Sequence, residues 1–195
     1  MVLDFWTYIN PILRILIYLV ALISRVTLLF NFHFEKYLDN DIKYYCYKIL
    51  KSNSASGILL SILVFFSIAG NLGGDIASIF SADLISLSLE TLQSKSILLL
   101  FIGFILLYFS TINLNFLSKI LCFLGTFVLV ISFVVVGHSF SSGIYSQLLV
   151  IVHVICISYW VGSFLPLRHM CTINNCKNLH EVAPVSYTHL TLPTK

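Results

Sequence analysis

The run IYSQLLVIVHVICISYWVGSFLPL, from Ile144 to Leu167, contains no charged residue along its whole length. As a helix it is long enough to cross the roughly 30 Å hydrocarbon core of a bilayer, so it predicts a transmembrane span. His153 lies near the middle of this run, where an ionisable side chain is costly unless it is paired, liganded or in contact with water. We therefore expect a functional role for His153. A neutral imidazole that hydrogen-bonds a neighbouring helix is the structural alternative.

The composition of the whole chain indicates a membrane protein with several spans. Hydrophobic residues make up 58% of it, charged residues make up 10%, and the mean hydropathy is +0.97. About a quarter of the residues of a soluble domain are charged, so an ordinary soluble fold is excluded. The formal net charge of +3 is too small to indicate a nucleic-acid partner. The hydrolase, phosphate-binding, zinc-protease and dinucleotide motifs are all missing, and we expect that the protein is not an enzyme.

Hydropathy and helical periodicity predict an all-α fold, a polytopic transmembrane helical bundle of about five spans. The predicted spans are Pro11–Phe30, Ala55–Leu72, Ile97–Ile112, Phe116–Val136 and Ile144–Leu167. Residues 31–56 are expected to form a polar connection that is helical in part and lies along the membrane surface. The segment Ile76–Leu92 has apolar residues at helical spacing, which predicts a short amphipathic helix at the interface.

The basic residues predict the orientation of the chain. The connections after the first, third and fifth spans contain Lys36, Lys43, Lys48, Lys51, Lys119, Arg168 and Lys177. Those after the second and fourth spans contain only Lys95. Because basic loops stay in the cytoplasm, the N-terminus is expected outside. His138, in the uncharged turn before the fifth span, then lies at the outer surface and His153 lies near the middle of the membrane.

The fifth span carries three chemically distinctive side chains on one helical face. His153, Cys156 and Trp160 are related by i, i+3 and i+7. Imidazole and thiolate are ligands that copper accepts, and soft sulfur favours copper(I). Two ligands from one helix do not complete a site, and about ten residues of helix between His138 and His153 make direct sharing of one ion doubtful. We expect the two histidines to be successive stations on a path, and packing is the alternative role for Cys156 and Trp160.

Two further groups of residues are candidates for the same path. On the first span, Arg14 and Tyr18 share a polar face, although arginines near helix ends also reach the headgroups by snorkelling. After the fifth span, the spacing H-x-C-x4-C-x3-H is formed by His169, Cys171, Cys176 and His180. This spacing is not a usual structural zinc spacing. The four residues either occur together by chance or form a loop that receives a metal ion.

The odd number of cysteines, 5, argues against a disulfide framework.

One local pattern resembles a known family. Gly137-His138-Ser139, followed after a spacer by H-x6-W-V-G-S-F-L-P-L, is similar to the membrane domain of the copper resistance protein D (CopD) family. The family pattern G-H-A, spacer, H-x6-W-x-G-G-L-x-P-L is matched at Gly137, His138, His153, Trp160, Gly162, Pro166 and Leu167. Ser139 and Ser163 depart from it but keep small side chains. Weaker likeness extends back to about residue 12, and the family often has a histidine at the position of Ile17.

The resemblance implies a multi-pass protein of the cell inner membrane that takes part in copper uptake and copper resistance. It implies a copper ion bound by His138 and His153, and an outer-side copper-binding protein as a partner besides the lipid bilayer. Family members usually have more spans, so residues 1–184 are expected to be an incomplete transmembrane domain. Residues 185–195 resemble the translated adapter of a sequencing library and are expected to pack against nothing.

Two other functions fit the same residues. Helical bundles with intramembrane histidines also hold haem, and arginines can pair with haem propionates, so a b-type haem electron-transfer protein is one alternative. An accessory subunit without a site of its own is the other. A Soret band in the absorption spectrum would distinguish the haem protein from the copper protein.

Overall fold

The computed structural model describes residues 5–34, 36, 38–112, 116–136 and 143–172. These residues form six α-helices and a short 3₁₀ helix, Ala77–Phe80. The α-helices are α1 Phe5–His33, α2 Asn40–Gly73, α3 Ala82–Glu90, α4 Leu92–Ser110, α5 Phe116–Val136 and α6 Ile144–Thr172. The predicted tail at 185–195 lies outside the described residues. Within the described part there is no strand, so the all-α prediction is confirmed.

Five of these helices, α1, α2, α4, α5 and α6, are long and apolar enough to cross a membrane. A hydrocarbon core of roughly 30 Å needs about 20 helical residues, and the shortest of the five, α4, has 19. Each backbone N–H group in a helix finds its partner within the same segment, which is what a span in lipid requires. The protein is therefore a multi-pass integral membrane protein with a helical bundle.

The spans alternate in direction and close into a ring. Along the ring, α1 packs on α2, α2 on α4, α4 on α5, α5 on α6, and α6 on α1. On the side where α1 begins, Trp6 packs over Gly70 near the end of α2, and its Nε1 donates to the carbonyl of Asp75 at 3.2 Å. On the opposite side, Phe30 of α1 and Met170 of α6 are buried together with the start of α2. We refer to these as the N-terminal side and the opposite side.

The largest difference from the predicted bundle lies in α2. The sequence predicted a surface connection up to residue 56 and a separate span from Ala55, but α2 is one helix of 34 residues. The reason is a single buried stripe at helical spacing that continues through the predicted break: Ile42, Cys46, Leu50, Ser54, Gly57, Ser61 and Val64. The charged side chains Asp41, Lys48 and Lys51 lie off this stripe and are exposed, so they do not interrupt it.

Other boundaries shift for local reasons. Helix α1 begins before Pro11, which therefore lies inside the helix. Helix α4 begins earlier than predicted because Thr91 caps it, with its Oγ1 accepting the Ser94 N–H at 3.1 Å. Helix α6 extends beyond Leu167 to Thr172, while the fourth span has the predicted bounds. The predicted interfacial segment is divided into the 3₁₀ helix and α3, which both pack on α2.

The main core joins four spans around the ring of Phe104 in α4. Its buried members are Ile17, Ala21, Leu50, Val64, Ile68, Ile97, Leu100, Phe104, Leu107 and Leu129. The ring of Phe104 lies against Gly57 of α2, where a Cβ atom would be only 2.5 Å from the ring. Close approach at glycine is how apolar helices associate in lipid, because burial alone gives no advantage there.

Candidate functional site

The side chains of His153 and Cys156 lie together on the outward face of α6. Both are exposed, and both line a shallow, open surface pocket. The other lining residues are Leu149, Val150 and Val152, so the wall of the pocket comes from α6 alone. One imidazole and one thiol are thus presented side by side on an otherwise apolar surface of the span.

The depth of this pair follows from its position in α6. His153 is nine residues from the start of the helix at Ile144, which places it about 14 Å along the axis at 1.5 Å per residue. Cys156 is about one turn deeper, and Trp160, which is 63% exposed, follows after a further turn. The pair therefore lies well inside the hydrocarbon region, where a polar group without a partner is costly.

Arg14 and Tyr18 of α1 do not line this pocket. The ring of Tyr18 packs on Phe133 of α5, with 5.0 Å between the ring centroids. Arg14 is half-buried, and its Nε atom is buried without a hydrogen-bond partner among the described residues. The described path residues therefore lie on two helices: His153, Cys156 and Trp160 are exposed on α6, whereas Arg14 and Tyr18 lie on α1, where Tyr18 packs on α5.

Several candidate ligands lie outside the described residues. His138 belongs to the segment 137–142 between α5 and α6, and Cys176 and His180 lie beyond Thr172. His169 and Cys171 belong to the last turn of α6 rather than to a loop, which corrects the predicted boundary. Within the part of the chain that the structure describes, no group of three His, Cys, Asp or Glu residues is close enough to hold a metal ion. Among the described residues, His153 and Cys156 are therefore available as a pair.

His169 makes a contact that the sequence analysis missed. Its ring stacks on Tyr45 of α2, with 3.8 Å between the centroids and 13° between the planes. The contact ties the end of α6 to the start of α2 on the opposite side of the membrane. The sequence did not predict this contact because residues 31–56 were expected to lie along the membrane surface. In the structure, the continuous helix α2 includes Tyr45 and meets α6 there.

The polar loop after α2 is held by hydrogen bonds of its own. Asp75 accepts from the backbone N–H and from the hydroxyl group of Ser78. These two bonds, first the hydroxyl and then the backbone bond, stabilise the carboxylate and lower the pKa of Asp75 below its usual value. Because the Asp75 carbonyl also accepts from Trp6, the loop fixes the N-terminal side of α1 against α2. This role is structural, and the loop contributes nothing to the pocket on α6.

Comparisons with protein-family models, with curated proteins and with solved structures gave no match. The function therefore has to be argued from the residues of this chain. Among the described side chains, the exposed pair of His153 and Cys156 in the middle of a span is the feature with the clearest chemistry.

Proposed function

We propose that this membrane protein takes part in moving copper ions across the bilayer, as its resemblance to the copper resistance protein D family implies. The observation that carries the proposal is the exposure of His153 and Cys156 at one pocket within the span α6. Imidazole nitrogen and thiolate sulfur are both good copper ligands. Metal binding offsets the cost of holding the imidazole of His153 inside the membrane, which apolar packing alone does not.

The proposed direction of the path follows the charge distribution. Lys43, which is half-buried, and the exposed Lys48 and Lys51 lie near the start of α2, on the opposite side from the N-terminus, which favours a cytoplasmic location for that side. Copper would then enter at the outer mouth beside His138, delivered by an outer-side copper-binding protein, and pass to His153 and Cys156. The membrane in this proposal is the cell inner membrane. Trp160 would follow on the same face of α6, and Arg14 and Tyr18 would act at the junction of α1 with α5.

The test measures copper accumulation in cells that express the chain with His153→Gln. Glutamine keeps hydrogen bonding but is a poor copper ligand, so we expect copper-dependent accumulation to be lost. The matched control is Leu148→Gln, which places the same amide on the same helix at an exposed position outside the pocket. Protein abundance in the membrane is measured for both variants, so that loss of folding is separated from loss of copper binding.

Two results would count against the proposal. Wild-type copper accumulation in the His153→Gln variant would remove His153 as a ligand. A Soret band in the purified protein that His153→Gln abolishes would assign the histidine to haem, and the protein would then be a b-type cytochrome.

A further inference from the structure

The outward face of α6 is a continuous stripe of exposed side chains that crosses the membrane. Its members recur at intervals of three or four residues, as one helical face requires: Tyr145, Leu149, His153, Cys156, Trp160 and Phe164. The three aromatic residues are 86%, 63% and 65% exposed in chain order. Apolar members, with which a thiol can be counted, are typical of any lipid-facing helix, but an imidazole at the centre of the stripe is not.

The pair at the centre of the stripe is an incomplete ligand set. A tetrahedral metal ion takes four protein ligands when its site is closed. His153 and Cys156 supply two, and the pocket that they line opens away from the rest of the bundle. Within the described residues no third His, Cys, Asp or Glu joins them. A second helix that covers this face would supply the other two ligands.

We infer that α6 of a second copy of this chain covers the stripe, and that the two copies share one metal ion held by His153 and Cys156 of each. The inference rests on the proposed function, because it takes His153 as a metal ligand. In a two-fold dimer, a residue near the axis meets the same residue of the other copy. If the two α6 helices cross at the level of His153 and Cys156, the two copies together provide two imidazoles and two thiolates.

This ligand set selects the chemical class of the ion. Two nitrogen and two sulfur ligands in tetrahedral geometry suit soft or borderline ions, and copper(I) and zinc are the candidates. Each thiol releases its proton when it binds the ion, so two protons leave the site for each ion bound. Harder ions such as magnesium and calcium prefer oxygen ligands and are not expected to bind.

The stripe is also large enough for a specific contact. An aromatic side chain buries about 150–250 Å² when it is fully covered, and each copy contributes three that are largely exposed. Covering the stripes of both copies removes on the order of 1,000 Å², where specific interfaces begin. Because lipid is as apolar as the stripe, close packing and the shared ion, rather than the hydrophobic effect, hold the two copies together.

The first experiment uses cross-linking of the full chain in membranes. Replacing Cys46, Cys122, Cys171 and Cys176 by serine leaves Cys156 as the only cysteine. Iodine, which enters lipid, is expected to join two chains through Cys156. The matched control has Cys156→Ser and Ile102→Cys, which places the single thiol at an exposed position of α4. That variant is expected to stay monomeric, and equal cross-linking at both positions, or none at Cys156, would overturn the dimer.

The second experiment keeps all native cysteines and measures bound metal in the purified chain after separate exposure to copper(I) and to zinc. We expect one ion for every two chains, and loss of that ion in both Cys156→Ser and His153→Gln. One ion per monomeric chain would overturn the shared site while leaving the copper proposal standing. A cross-linked dimer that binds neither ion would overturn the shared site. If copper accumulation is also normal in His153→Gln, the proposed function fails as well.

Discussion

Gly125 of α5 shows how closely two spans approach at a single residue. A Cβ atom at this position would lie 3.0 Å from the carbonyl oxygen of Gly103 in α4. The relation is reciprocal, because a Cβ atom at Gly103 would lie 2.7 Å from Leu129 and 3.2 Å from the carbonyl oxygen of Gly125. Backbone cannot move aside as a flexible side chain can, so the contact between α4 and α5 depends on these two glycines.

We predict that Gly125→Val destabilises the bundle by about 1–3 kcal/mol, the usual cost of overpacking a tight contact. The measurement is the loss of helical circular dichroism during denaturant unfolding of the purified protein in detergent micelles. Leu124→Val is the control, because Leu124 is exposed on the same helix and its substitution leaves the crossing intact. If Gly125→Val unfolded at the same denaturant concentration as the wild type, α4 and α5 would not be this close.

At the scale of elements, α2 differs most from what its composition suggests. Its first half contains Asp41, Lys43, Lys48 and Lys51, yet it continues without a break into an apolar span. The buried stripe along α2 packs on α1 and α4, and on the opposite side it meets α6 through Cys46 and Met170. Charged side chains on the other faces reach water because this end of the helix projects beyond the hydrocarbon core.

We predict a distance of about 33 Å between spin labels placed at Tyr44→Cys and Phe66→Cys, from 22 residues at 1.5 Å each. Both positions are exposed, so the labels are expected to leave the core undisturbed. A helix that turned onto the membrane surface near residue 55 at a right angle would bring the labels to about 23 Å instead. Pulsed electron–electron double resonance distinguishes the two values, and a main peak near the shorter one would contradict a continuous α2.

For the whole molecule, the alternating spans predict which segments share a side. Asp83 of α3 lies on the N-terminal side, whereas Asp41 at the start of α2 lies on the opposite side. We predict that cysteines introduced at these two exposed positions react with a membrane-impermeant maleimide from opposite faces of sealed vesicles. The native cysteines are replaced by serine in both variants, so that each has one reactive thiol. Labelling of both positions from the same face would show that α2 does not cross the membrane.

The sequence by itself determined the membrane class and the number of spans. These properties depend on hydropathy and length, and the bilayer sets both, because a chain in lipid must satisfy its backbone within helices about 20 residues long. The fourth span was predicted with the bounds that the structure has, since Phe116–Val136 is a long apolar run with polar residues beyond both ends.

Only the tertiary structure decided which face of each span is buried. A helix in lipid is apolar all round, so its periodicity carries little information on its neighbours. Nothing in the sequence showed that His153 and Cys156 face outward from α6, or that His169 stacks on Tyr45. The sequence did not predict that α2 is continuous, for a related reason. Its charged residues reduce hydropathy over its first half, while the buried stripe that keeps it helical is recognised only when α1 and α6 pack against it.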